Sequence, residues 1–176
     1  MPLGQKDLLA FVRAVEKLNA ETEPASLPRR ASEMVAAIVP ADVAAFDFFN
    51  SHDAYTVTEW NNRPDVVTPD NRSVFARYAG EHPLLSAALA NEAGEAVKMT
   101  DVISQSDFER TPVYNEYYRR LGVNRQMRMA FPVAPDLTIC CVLSRAGSDF
   151  TRRDKMMLTL AAPYLANAVR GALAYE

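Results

Sequence analysis

The chain is short of the residues on which most protein chemistry depends. Its 176 residues include two histidines, two cysteines, one tryptophan and six glycines. A two-histidine metal site would have to use both His52 and His82, and the sequence places them in different settings. His52 falls in the polar turn "NSHDAY", where a solvated turn residue is the plain reading. His82 precedes a proline in "GEHPLL", which suits a local hydrogen bond or a place at a pocket rim. The cysteines are adjacent, Cys140 and Cys141, inside the predicted strand "LTICCVLS". Neighbouring strand side chains point to opposite faces, so the pair is unsuited to a disulfide, a zinc site or a Cys-x-x-Cys redox centre. Both are read as packing residues.

Other absences narrow the function further. There is no Gly-x-Ser-x-Gly elbow, no Gly-x-x-x-x-Gly-Lys-Ser/Thr phosphate loop and no His-Glu-x-x-His helix. No catalytic residue, metal or cofactor is therefore expected. No run of about 18 apolar residues could span a bilayer, and the opening "MPLGQKDLLAFVRAVEKL" mixes charge with apolar residues unlike a secretory signal. The expectation is a cytoplasmic protein with no membrane partner. A basic excess is also missing: 19 Lys and Arg stand against 22 Asp and Glu, for a net charge of −3. By itself such a chain lacks the electrostatic footprint of a DNA-binding module.

What is present is an ordinary globular balance, 49% hydrophobic and 23% charged, over a length that fits one domain spanning 1–176. Leu8, Phe11, Val12, Val15 and Leu18 fall at helical spacing and predict a helix over about 5–19. A second helix is predicted from near Ser26, with Pro28 in its first turn, to Pro40. A hairpin follows, "DVAAFDFFN" and "YTVTEW", and then a proline-punctuated stretch of short helices from Asn61 to Gly94. A strand "EAVKMT", one short and one longer helix ending at Gly122, a clear pair "RQMRMAFPVA" and "LTICCVLSR", and a long helix over 151–174 complete the order. Connections between successive strands are too brief for parallel crossovers. The fold class is α+β, with a central antiparallel sheet of about five to six strands flanked by helices from both ends.

Alternation sorts the strand residues. Met127, Met129, Phe131 and Val133 share one face, and Gln126, Arg128 and Ala130 the other. Phe46 and Phe48 likewise oppose Asp47, which keeps company with Val43, Ala45 and Phe49. Asp47 and Arg128 are thus charges in mid-strand, which either lie at a wet edge or line a partly polar cavity where each must find a partner. Tyr114, Tyr117 and Tyr118, three and four apart, form a stripe that serves core packing or a ligand. The candidate pocket set is Asp47, Trp60, Tyr78, His82, Tyr114, Tyr118 and Arg128.

The runs "MTDVISQSDFERTPVYNEYYRRLGVNRQMRM" and "LSRAGSDFTRRDKMMLTLAAPYLANAVR" resemble the GAF-like sensory domain that precedes a LuxR-type helix-turn-helix in bacterial transcriptional regulators. Asp101, Phe108 and Tyr114 ahead of Gly122, Gln126 opening a strand, Ser144-Arg145 closing one, Phe150 before a helix, and Pro163, Leu165 and Ala168 within it carry the likeness, with "EHP" at 81–83. Members often have Pro-His where this chain has Pro163-Tyr164. The resemblance, a GAF/PAS-like plan, implies a GAF-like regulatory domain with no enzymatic activity that senses an unknown small molecule or a partner on the sheet's concave face. It also implies a homodimer, and DNA contact only through a helix-turn-helix following the last helix. Alternatives are a protein-interaction module with a filled pocket, an autoinducer-binding domain, and a GAF-type reductase.

The last helix, from "SDFTRRDKMMLTLAAPYLANAVRGALAYE", is read with Thr151 as N-cap and Asp154 completing a capping box. Pro163 is expected to kink or break it. Its apolar stripe is broad, so its second half, with Leu165, Ala168, Val169, Ala172 and Leu173, is the expected dimer surface.

Overall fold

A computed structural model describes residues 3–50, 56–91 and 94–174, with the side chains of 56–59 outside the description. The element order is α1 (Gln5–Leu18), α2 (Leu27–Ile38), β1 (Val43–Asn50), β2 (Thr56–Asn61), α3 (Pro69–Tyr78), α4 (Pro83–Leu89), β3 (Val97–Lys98), α5 (Met99–Val102), α6 (Gln105–Phe108), β4 (Arg125–Ala134), β5 (Leu137–Arg145) and α7 (Arg152–Leu173). The strands make one five-stranded sheet in the order β2-β1-β5-β4-β3. Every pairing is antiparallel. The fold class read from the sequence holds. The strand at 95–100 is shorter than predicted: pairing covers Val97 and Lys98 alone, and Met99 already opens α5.

Two hydrophobic layers sandwich the sheet. On one side α1, α2 and α7 cover Ala44, Phe46, Met127, Met129, Phe131, Ile139, Cys141 and Leu143. On the other, α3 to α6 cover Val43, Ala45, Phe49, Ala130, Cys140 and Val142. The cysteines are free, buried and on opposite faces, as strand alternation requires. Burial in apolar surroundings raises both thiols, Cys140 to about 11.

Along α1 the predicted stripe is only partly used. Phe11, Ala14 and Leu18 are buried, whereas Leu8 and Val12 point outward. Arg30, buried in α2, donates to the Leu18 carbonyl, to Ser26 Oγ at 2.9 Å and to the Glu23 carbonyl at 3.3 Å, tying the first two helices together. In α7 the capping box is complete: the Asp154 N–H donates to Thr151 Oγ1 at 3.1 Å and the Thr151 N–H to Asp154 Oδ2 at 2.9 Å. The helix runs 22 residues without interruption through Pro163, so no break occurs there.

The expected dimer surface is corrected at two positions. Leu165 and Val169 are buried in the domain's own core, because their stripe lies against the sheet. Arg170 reinforces this docking by donating to the carbonyls of Val133 at 3.1 Å and Pro132 at 2.9 Å. Ala168 and Ala172 are half-buried at its edge, and Leu173 is 41% exposed. The free apolar surface lies elsewhere: Leu8, Leu9, Val12, Leu160 and Tyr164 are between 41% and 52% exposed on α1 and α7. Phe11 meets Tyr164 edge-on at 5.4 Å, which brings α1 and α7 together at these exposed residues.

Candidate functional site

Between the sheet and α3 to α6 the core turns polar, with Asp47, His82, Gln126, Arg128 and Ser144 all buried. Asp47 sits opposite Cys140 in the regular β1–β5 ladder, while its pairing with β2 shifts register on both sides. Such irregularity re-aims side chains and is common beside functional sites. Arg128 is carried by β4, two strands away, on the same face. Both are almost completely buried, at 1% and 2% exposure, and Arg128 Nη1 donates to Asp47 Oδ2 at 2.9 Å. The mid-strand charges are therefore neither at a wet edge nor apart: they are a buried ion pair.

Arg128 reaches further. Its Nη2 donates to the Tyr118 hydroxyl at 3.2 Å, and its guanidinium lies 5.3 Å from the centre of the Phe75 ring. Tyr118 comes from a π-helical turn over Tyr114–Tyr118. There the Arg119 N–H reaches back to the Tyr114 carbonyl at 2.8 Å. This wider turn changes which tyrosines meet. Tyr117 and Tyr118 contact each other edge-on at 4.8 Å, while Tyr114 packs against Phe108 at 5.3 Å. Burial raises the Tyr118 hydroxyl to about 12 and pushes that of Tyr117 up as well.

His82 closes the network. As N-cap of α4 its Nδ1 accepts the Leu85 N–H at 3.1 Å, taking the part usually played by Ser or Asp. A neutral ring that accepts there carries its proton on Nε2, which lies 2.9 Å from the Tyr118 hydroxyl. Burial, helped by the Arg128 charge, holds the His82 pKa well below its ordinary value, so the ring stays neutral. Gln126 is fully buried on the same face, its amide close enough to His82 and Tyr118 to act on both but aligned for a full hydrogen bond with neither, and Arg128 Nε has no aligned acceptor. Buried groups of this kind cost about 1–3 kcal/mol each when unmet.

The space left is small. A cavity of about 20 Å³ lies beside Asp47, Phe75, Tyr117, Tyr118, Arg128 and Ser144, enough for about one water. Burial holds the Cys140 thiol and the Tyr118 phenol protonated, and both nitrogens of His82 are engaged in hydrogen bonds. Among the described residues no cluster of His, Cys, Asp and Glu could hold a metal ion.

Of the seven candidate residues, the structure brings four together: Asp47, His82, Tyr118 and Arg128. Trp60 is a correction. It pairs with Phe46, and antiparallel partners share a face, so it packs on the α1, α2, α7 side, 4.9 Å edge-on from Phe48. Tyr78 is half-buried at the end of α3, its hydroxyl raised by a hydrogen bond to Glu116, and does not line the cavity. Tyr114 belongs to the surrounding packing. Tyr117, Gln126 and Ser144 were not in the candidate set. Alternation does place Gln126 on the Arg128 face, but nothing local marks the π turn that brings Tyr117 in. His52 lies outside the described residues.

No protein-family model and no curated protein sequence matches the chain. Solved structures do. The chain is similar to the VqsR LBD domain from Pseudomonas aeruginosa, with a TM-score of 0.67 at 18% identity over 95% of this chain and 97% of that one. It is similar to CepR2 from Burkholderia cenocepacia, an N-acylhomoserine-lactone-dependent LuxR family transcription factor, with a TM-score of 0.64 at 11% identity over 97% and 99%. It is also similar to the GAF domain of a phosphoenolpyruvate-protein phosphotransferase from Coxiella burnetii, with a TM-score of 0.62 at 14% identity over 96% and 95%. The fold is GAF-like. At these identities it is the architecture that is shared, and an architecture hosts many functions. None of the described helices is long and apolar enough to cross a membrane.

Proposed function

We propose that the chain is the regulatory domain of a LuxR-type transcriptional regulator, reading a small molecule at the polar centre formed by Asp47, His82, Tyr118 and Arg128. The observation that carries this reading is the buried Arg128–Asp47 pair with donors left over beside it. An apolar filling of equal volume would stabilise a core as well or better. Keeping the pair, with Arg128 Nε unmet and the Gln126 amide poorly aligned with its neighbours, fits a site whose remaining donors a ligand satisfies. Binding anything larger than water requires α3 and the π turn to move away from the sheet, since the cavity is only about 20 Å³. An acyl lactone, the ligand class named for CepR2, has no room in the closed form. The same protonated thiols and phenols speak for binding over catalysis.

In the intact regulator the domain pairs with a second copy through the exposed face of α1 and α7, works in the cytoplasm, and contacts DNA only through a helix-turn-helix beyond α7. Contiguous exposed apolar surface of this kind marks interaction sites.

The closed cavity favours one second reading, a GAF-like interaction module whose pocket is permanently filled. A thermal-shift screen of small metabolites separates the two. A ligand at about a hundred times its dissociation constant adds roughly 2.7 kcal/mol, several degrees for a domain of this size. A panel of metabolites that leaves the melting point unmoved supports the filled module and refutes the sensor.

A further inference from the structure

The chain's one tryptophan lies on the face away from the polar centre, and it does not stand alone there. A groove of about 550 Å³ runs between the start of α2, strands β1 and β2, and the C-terminal half of α7. Phe48 and Trp60 form one wall, edge-to-face at 4.9 Å and 72°, and Val169, Ala172 and Leu173 form the other. That volume lies within the range of sites for small organic molecules, about 300–1,000 Å³. It also exceeds the cavity at the polar centre many times over.

Among the described residues the lining carries one ionisable group, Glu23, at its exposed rim, and no ion pair to that carboxylate forms. The other large groove, about 630 Å³ beside β3 and the start of α7, differs in this respect. Charged side chains of both signs line it: Lys155 pairs with Asp101 and Lys98 with Asp149, while Glu95 and Arg152 form no ion pair among the described residues, so it favours neither a cation nor an anion. An aromatic face with one unmatched carboxylate at the rim attracts a cation through both the ring quadrupole and the charge, and repels an anion.

We infer that the Trp60 groove is a second small-molecule site, which takes an organic cation with an apolar body. Its far wall is α7, the helix that the proposed regulator uses as its output, so an occupant touches that helix directly. The site does not depend on the polar centre binding anything.

Trp60 supplies the readout, because its fluorescence reports on this groove alone. The full chain is titrated with 4-phenylbutylamine and, separately, with 4-phenylbutyrate, a probe of nearly the same shape and opposite charge. The amine should give a saturable change in the millimolar range expected for so small a ligand. The carboxylate should bind at least about fivefold more weakly, and Glu23→Gln should weaken the amine about threefold. Ala172→Phe, which fills the groove, should abolish the response while far-UV circular dichroism stays native. The Arg128→Met/Asp47→Leu variant should keep it, which separates this site from the polar centre whatever the metabolite screen finds. The inference is overturned by no saturable response in wild type, by equal binding of the two probes, by a response that survives Ala172→Phe in a folded protein, or by its loss in the Arg128→Met/Asp47→Leu variant.

Discussion

The two faces of the sheet are built by different rules. The face under α1, α2 and α7 is filled by Phe46, Met127, Met129, Ile139 and Leu143, and the buried charges of that layer, Arg30 and Asp154, sit on the helices and not on the strands. The face under α3 to α6 uses the same strands one residue out of phase, and there an aspartate, an arginine and a neutral histidine share the interior with aromatic rings. The difference teaches where stability and where specificity reside. Apolar packing needs only volume, whereas a buried pair holds only while both partners and their donors stay in register.

The sharpest way to break the contrast is to remove one charge. Arg128→Met leaves Asp47 buried without its cation and should cost about 3–5 kcal/mol in urea unfolding. Adding Asp47→Leu should recover most of that loss, because the pair together contributes little net stability. On the other face Met129→Ala should cost about 2–5 kcal/mol, and no neighbouring charge substitution should rescue it, since what is lost is packing.

A smaller effect separates the faces by pH. His82 is neutral when folded, with a pKa below the value near 6.5 of the unfolded chain. The unfolded state therefore takes up a proton first as pH falls. The stability that neutral His82 contributes is fully present above about pH 6.5 and is lost progressively as pH drops through that value towards the folded pKa. Chemical denaturation between pH 7 and 5 should show this slope in wild type and lose most of it in His82→Asn, which keeps a side chain able to cap α4.

The smallest stability effect belongs to the outer surface. Leu160→Glu should alter unfolding by about 0.5 kcal/mol or less. The same change should dissociate the proposed dimer in sedimentation velocity, and a wild-type chain that sediments as a monomer would refute pairing through α1 and α7.

Much of this division was legible from residue order. Period-two alternation sorts Met127, Met129 and Phe131 from Gln126 and Arg128, and it separates the two cysteines. Thr151 and Asp154 announce the start of α7 by their spacing. Three features were not legible, two because they depend on partners distant in sequence and one because the backbone departs locally from a regular helix. Trp60 goes to the apolar face because of its register against Phe46, which strand alternation within β2 alone does not fix. Tyr114 parts from Tyr117 and Tyr118 because the backbone widens into a π turn where a regular helix would have aligned them. Leu165 and Val169 belong to the core because Arg170 and the sheet claim the second half of α7, a contact across 37 residues for Arg170 and Val133.

The central claim is that the polar centre exists to read a ligand. Its most direct test is the melting-point shift of wild type and of Arg128→Met/Asp47→Leu across one metabolite panel. The prediction is at least one compound class that raises the wild-type melting point by several degrees and leaves the folded double variant unmoved. A panel that shifts neither protein, or both equally, would contradict it.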